Sequence, residues 1–486
     1  MPPPQEPSHP ASLGKGTRMS TANLASSTSL KPQTYMAVVA TVAAIAGGLY
    51  GYDTGIISGA LPQIAHDFQL GYRAQELVTA AILLGAVIGA ICSTRLSASR
   101  GRRTTIMIVA AVYCVGVVAA ALSPNVWCLA VARLVLGFAV GGSTQIVPTY
   151  IAELAPPDKR GRLVTYFNVS IGVGILMAAV VGVAGQNLFD WRWMIGIALV
   201  PSLLLLLGMT KLPGSPRWLV ENDRRRDAAA ALALVRETRQ EVKEEIADIQ
   251  EIVEQRDQMP SVGWAAIKER WVRPSLVAGL GVAAFTQLSG IEMMIYYTPT
   301  FLKNAGFGAS AALWSALGVA VTYLVMTFIG KLIVDHTGRR SLSLMMLPGA
   351  VASLLVLGAV LHFDMAGDNQ AWWIISCLIV FMIFNSGGIQ VIGWLTGAEI
   401  YPIAIRDQAA GLHAAMLWGS NLLLTGTALT MTHWLGVGGA MWVYAGFNAL
   451  AWVFIYFLVP ETGGRSLEDI ERSLRDGTFL PHAKKH

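Results

Sequence analysis

"LVTAAILLGAVIGAI" (77–91) carries no charge. It belongs to a run of about twenty residues, the length a helix needs to cross a bilayer core. The run ends in a basic turn, "RGRRTTIMI" (100–108), and a second apolar run starts at once. The same alternation continues outward along the chain, as in "LVPSLLLLLGM" (199–209). Of 486 residues, 54% are hydrophobic and 13% charged, against roughly 25% charged in a soluble domain. Backbone polar groups in lipid must be satisfied within the protein, so runs of this length read as membrane helices.

Hydropathy places about twelve spans, near 37–60, 76–94, 104–122, 126–149, 163–185 and 192–211, then 274–302, 311–333, 341–361, 372–397, 408–432 and 437–459. The fold class is an all-α membrane protein with twelve transmembrane helices in two six-helix halves. Residues 1–35, rich in Pro, Ser and Thr, read as a disordered cytoplasmic tail, with the start at Met1 or Met19. The N-terminal half covers 36–211, an intracellular helical linker 212–273, the C-terminal half 274–460 and a cytoplasmic tail 461–486. In the linker, Val242, Ile246, Ile249 and Val253 form one apolar stripe among charges, the pattern of an amphipathic helix packed under the bundle.

The net charge of +5 concentrates in alternate loops: Arg95, Arg100, Arg102 and Arg103; Lys159, Arg160 and Arg162; Arg339 and Arg340; Arg406. Positive residues mark cytoplasmic loops, so the charge reads as topology rather than a nucleic-acid patch. An even number of spans puts both termini on the cytoplasmic side of a plasma membrane of the bacterial inner-membrane type. Cys92, Cys114, Cys128 and Cys377 lack metal-ligand spacing and read as buried packing residues. There is no Walker loop, zinc motif or nucleophile elbow. No enzyme activity, metal or cofactor is expected, and His66, His336 and His413 read as structural or solvated. The expected partners are a small-molecule substrate, protons and the lipid bilayer, with the chain a monomer.

The halves echo each other. "RGRRTTIMI" follows the second span and "TGRRSLSLM" (337–345) the eighth; "YIAELAPPDKRGRL" (150–163) follows the fourth and "LTGAEIYPIAIRDQAAG" (395–411) the tenth. Each half thus has a basic turn, then an acid seven residues before an arginine: Glu153 and Arg160, Glu399 and Arg406. Internal duplication is the mark of a transporter that rocks about a central site.

These residues resemble the sugar porter family of the major facilitator superfamily over nearly the whole membrane chain. The resemblance lies in "GYDTGIISGALP" (51–62), the paired "RGRR" and "DHTGRR" turns, "RLVLGFAVGG" (133–142) with the loop after it, "PGSPRWL" (213–219), "TQLSGIEMMIYYTP" (286–299) and "PETGGRSLEDIE" (460–471). It implies the major facilitator fold and proton-coupled import of a sugar or polyol by alternating access. Ala98 and Gly214 stand where the family has acids, Thr286 where it has Gln, Glu292 where it has Asn, and Asn168 where it has Gln. Of the tenth-span motif, "GGIQVIGW" (387–394) keeps Trp394. Several of these departures fall where sugar hydroxyls would bind.

Asp53 is a carboxylate inside a span, a cost unless it is paired or neutralised. Arg133 in the fourth span is the candidate partner: beside it the ionised form is favoured, away from it desolvation favours the protonated form. The resemblance implies that the pair carries the proton. It further implies a substrate site of Asn168, Gln287, Glu292, Tyr297, Trp394, Trp418 and Asn421, with Tyr296 and Thr286 less secure. Glu292 reads as a substrate ligand or cavity-lining acid, with a second protonation site as the alternative. Arg102, Arg103, Glu153, Arg160, Arg339, Arg340, Glu399 and Arg406 read as a cytoplasmic gate that pairs across the halves, weaker on the N-terminal side for want of acids at Ala98 and Gly214. The alternatives are an uncoupled facilitative carrier, a transporter-like nutrient sensor and a channel. The short tail after Pro460 argues against a sensor, and the duplicated halves argue against a channel.

Overall fold

A computed structural model of the chain describes residues 31–156, 159–185, 188–257, 263–304, 308–363, 370–465 and 467–481. The N-terminal half contains α1 (Pro32–Asp67), α2 (Tyr72–Arg100), α3 (Arg102–Ala121), α4 (Val126–Leu154) and α5 (Arg160–Gly185). Its sixth span is divided into α6 (Trp191–Gly196) and α7 (Leu199–Met209). Three short helices follow: α8 (Pro216–Glu221), α9 (Arg225–Ala233) and α10 (Arg239–Asp257). The C-terminal half contains α11 (Arg273–Leu288), α12 (Ile291–Asn304), α13 (Ala309–Thr337), α14 (Arg339–Phe363), α15 (Gln370–Gly387), α16 (Ile389–Glu399), α17 (Arg406–Thr425) and α18 (Ala428–Leu458), and α19 (Leu467–Arg475) follows.

Among the described residues, eleven spans are long and apolar enough to cross a bilayer. α17 falls short because its sequence carries Arg406, Gln408, His413, Ser420 and Asn421. Those inside the bundle face protein, so the helix needs less lipid-like surface. α18 is two helices joined at a kink, where Gly436 has φ +71°. The part before the kink completes the eleventh span and the part after it forms the twelfth.

Small residues set how closely helices approach. α1 packs along α5 and α2 along α4. A Cβ on Gly51 would lie 1.9 Å from the carbonyl oxygen of Ile171 in α5. Only a glycine permits that contact, and Gly47, Gly55 and Gly59 continue the face at helical spacing. In the second half α14 packs on α18, α11 on α17 and α13 on α15. The halves meet through α2 against α17 and α5 against α13.

The seventh span is broken, and polar side chains repair the break. Gly290, at φ +92°, separates α11 from α12. The freed Ser289 carbonyl accepts from Asn448 Nδ2 at 2.8 Å, and Asn385 Nδ2 donates to Asn448 Oδ1 at 3.4 Å. Irregular backbone at membrane depth survives where protein supplies such partners. His413 stitches α17 to α16: its Nε2 lies 2.7 Å from the Gly393 carbonyl, and its Nδ1 lies 3.0 Å from the Tyr401 hydroxyl. That makes it a structural histidine.

The linker helices dock on the face that carries the arginine turns. Arg236 pairs with Glu245 at 2.5 Å and donates to the Leu154 carbonyl at the end of α4 at 2.9 Å. Val242, Ile246 and Ile249 of the expected stripe pack against buried side chains. All four cysteines are free thiols, and they depart from the expected burial: Cys377 alone is buried, Cys114 is half-buried, and Cys92 and Cys128 are exposed.

Candidate functional site

The site forms where α1 and α4 of one half face α11, α12, α16 and α17 of the other. Asp53, on α1, lies 3.8 Å from Arg133 Nη1 on α4, and both side chains are at most 5% exposed. This is an ion pair without a direct hydrogen bond. Arg133 Nε instead donates to the Val78 carbonyl at 2.8 Å. Asp53 Oδ2 and Arg133 Nη2 have no hydrogen-bond partner among the described residues.

One turn before Asp53, Tyr50 joins the halves. Its hydroxyl donates to Glu292 Oε1 at 3.2 Å. Its ring meets Trp418 edge-on at 5.0 Å and tilts against Trp394 at 6.3 Å. Trp418 Nε1 donates to Thr144 on α4 at 3.3 Å, a second bridge between halves. The core of the site is sealed: Tyr50 and Trp418 are 3% exposed, Glu292 and Gln287 2%, and Asn421 1%. Gln287 Oε1, Glu292 Oε2, Gln390 Oε1 and Asn421 Nδ2 are buried without a partner among the described residues. Such atoms are costly unless a ligand or a motion satisfies them. Aromatic faces beside unsatisfied polar groups suit a small polyhydroxy molecule.

The structure therefore brings Glu292, Trp394 and Trp418 into one cluster about Tyr50. Gln287 lies just before the Gly290 break and Glu292 just after it, while Asn421 follows Trp418 by nearly one turn of α17. Tyr297 is fully buried and donates to the Thr425 carbonyl at 3.4 Å, which fixes the end of α17. Asn168 is half-buried on α5, without a hydrogen bond to this cluster among the described residues. The sequence reading missed Tyr50 and Gln390, although Gln390 lies in a stretch it singled out and Tyr50 immediately before one. The period of α1 places Tyr50 beside Asp53, but its contact with Glu292 joins residues 242 apart.

On the face with the arginine turns, Arg102, Arg103, Arg339 and Arg340 each bond within their own half, where the sequence suggested pairing across the halves. Arg102 binds Glu153 at 2.9 Å, and Arg339 binds Glu399 at 2.9 Å. Arg103 donates to the Thr210 carbonyl at 2.7 Å and Arg340 to the Tyr456 carbonyl at 2.8 Å, each holding the last span of its half. Arg160 is exposed and Arg406 half-buried. The acids missing from the N-terminal half have visible counterparts in the other. Asp335 adds an ion pair to Arg339 at 3.1 Å. Glu461 accepts from the backbone N–H of Arg339 at 2.7 Å and of Arg340 at 3.1 Å, capping α14. In sequence, Gly214 follows the last span of its half as Glu461 does, and it offers no carboxylate.

Two pseudo-equivalent halves around a sealed polar site, with a buried ion pair beside it, define a membrane carrier. The family model described as "Sugar (and other) transporter" matches residues 39–474, and the chain belongs to that family. It is 35% identical over 435 residues to the glucose transporter GlcP of Staphylococcus epidermidis, covering 90% of this chain and 96% of that one. It is 34% identical over 450 residues to the galactose-proton symporter of Escherichia coli K12, covering 92% and 96%. The structure of the major facilitator superfamily proton:xylose symporter XylE bound to 6-bromo-6-deoxy-D-glucose is similar with a TM-score of 0.77 at 25% identity, covering 90% of this chain and 99% of that one. The chain is thus a multi-pass membrane transporter with the major facilitator fold.

Proposed function

We propose that this protein imports a sugar or polyol together with protons, by alternating access to the site around Tyr50. The observation that carries the coupling is the Asp53–Arg133 pair, close enough at 3.8 Å to attract but not hydrogen-bonded directly. Ionised, Asp53 holds α1 to α4 through Arg133. Protonated, it gives Arg133 no charge to hold, and the two helices are free to reorient. A small change in separation then exchanges an ion pair for a bound proton. The similarity to proton symporters supports this reading.

The arginine turns face the cytoplasm in this account, as do both termini, and the membrane is the plasma membrane. The protein works as a monomer, since each chain contains both halves of the site. The intra-half pairs Arg102–Glu153 and Arg339–Glu399 stiffen each half so that it moves as a body, and gating falls to contacts between the halves.

The test is Asp53→Asn in proteoliposomes. Accumulation driven by an imposed pH gradient is expected to disappear while sugar counterflow persists. Undiminished accumulation by Asp53→Asn would exclude coupling through this pair and favour an uncoupled carrier.

A further inference from the structure

Glu292 is a buried acid that the proposed proton step leaves unused. It lies in the first turn of α12, with Oε1 accepting from Tyr50 at 3.2 Å and Oε2 unpartnered among the described residues. Asp53 has Arg133. Among the described residues, no lysine, arginine or histidine forms an ion pair with Glu292. A carboxylate sealed from water needs a compensating positive charge or several donors. One tyrosine hydroxyl is a poor substitute for hydration.

The rest of the site leans the same way. Its unpartnered acceptors are Gln287 Oε1 and Gln390 Oε1, against the amide donor of Asn421. Tyr50, Trp394 and Trp418 gather their rings at the same place, and aromatic faces attract cations. A sugar hydroxyl brings one donor together with acceptor lone pairs. An ammonium group brings three donors, no acceptor and the missing charge.

We propose that Glu292 forms an ammonium subsite and that the preferred substrate is an amino sugar. This rests on the transport reading above and narrows its substrate class. The Glu292 carboxylate receives the amine, the neighbouring amides receive hydroxyls, and the rings cover the sugar faces. A substrate held this way enters as a cation, so each cycle carries its charge in addition to the proton's, and its uptake responds more steeply to membrane potential than that of a neutral sugar.

The experiment is binding to the purified wild-type protein by titration calorimetry, with counterflow in proteoliposomes alongside. The probes are D-glucosamine, N-acetyl-D-glucosamine and D-glucose, and the matching galactose series. An amino hexose is expected to bind about tenfold or more tightly than its parent hexose and its N-acetyl form, the scale of one charge-assisted hydrogen bond. The parent hexose, with a hydroxyl in place of the ammonium, separates charge from shape in the wild-type protein with no variant needed, and N-acetylation keeps the nitrogen while removing its charge. Glu292→Gln is expected to bring the amino-to-neutral ratio close to one. Equal binding of amino and neutral sugars by the wild type, or a ratio unchanged in Glu292→Gln, overturns the ammonium subsite and leaves sugar transport standing. Absence of both binding and counterflow for all six sugars would overturn the transport reading for hexoses and this proposal with it.

Discussion

Asp53 has Arg133 at 3.8 Å; Glu292 has the Tyr50 hydroxyl at 3.2 Å. The two acids are both buried, and in the proposed cycle they have different duties. The first is proposed to trade its cation for a proton, and the second to meet a donor that arrives with the substrate. Tyr50→Phe tests the link between halves. It removes the hydroxyl that satisfies Glu292 Oε1 and is expected to destabilise the sealed state by about 1.5–3 kcal/mol. A lower melting temperature in detergent, recovered on adding a bound substrate, is the expected result. An unchanged melting temperature would show that the bond contributes little. At this scale the sequence was partly readable. Asp53 and Arg133 stand out because charges in apolar runs are rare and expensive. Glu292 stands out as a departure from a motif. The Tyr50 contact was hidden, because a tyrosine in a membrane helix is unremarkable until its tertiary neighbour is known.

At the scale of elements, glycines and caps decide the packing. Gly51→Ala places a methyl where the Ile171 carbonyl stands, 1.9 Å away. α1 and α5 must separate, at a cost of about 1–3 kcal/mol, read as reduced melting temperature and yield. Wild-type stability in that variant would mean that the helices pack differently. Gly214→Glu is expected to act in the opposite direction. It offers α3 the N-terminal carboxylate that Glu461 gives α14, worth about 0.3–1 kcal/mol, and the melting temperature should rise. A fall would show that the two turns are not equivalent. The spans were legible because charge-free runs and basic turns follow directly from the bilayer's physics. Partner choice among the arginines was not. The repeated acid-to-arginine spacing exists in both halves, and spacing alone does not say whether Arg102 reaches Glu153 in its own half or an acid in the other. The breaks at Gly290 and Gly436 were equally hidden, since glycine is common in membrane helices that pass through unbroken.

Across the whole molecule, the halves are bonded at several depths. Glu76 on α2 accepts from both the backbone N–H and the hydroxyl of Thr430 on α18, each at 2.6 Å. Nearby, Tyr72 stacks on His433 at 4.7 Å. These contacts close the face opposite the arginine turns, external in the proposed orientation. Toward the other end, Lys331 on α13 donates to the Thr165 carbonyl on α5 at 3.5 Å. Closure on both sides of Tyr50 and Trp418 is the arrangement of a carrier between its two open states. Glu76→Gln is expected to loosen the outer contact by about 1.5–3 kcal/mol. A thiol at Asn421→Cys should then react about tenfold faster with an external membrane-impermeant reagent. No change in labelling would remove Glu76 from the gate.

Coupled transport requires that sugar and proton cross together. Its most direct measurement uses proteoliposomes holding a pH-sensitive dye, with no gradient imposed, to which a transported sugar is added outside. The interior is expected to acidify with sugar entry in the wild type and not in Asp53→Asn. Sugar entry into wild-type vesicles without acidification would contradict it.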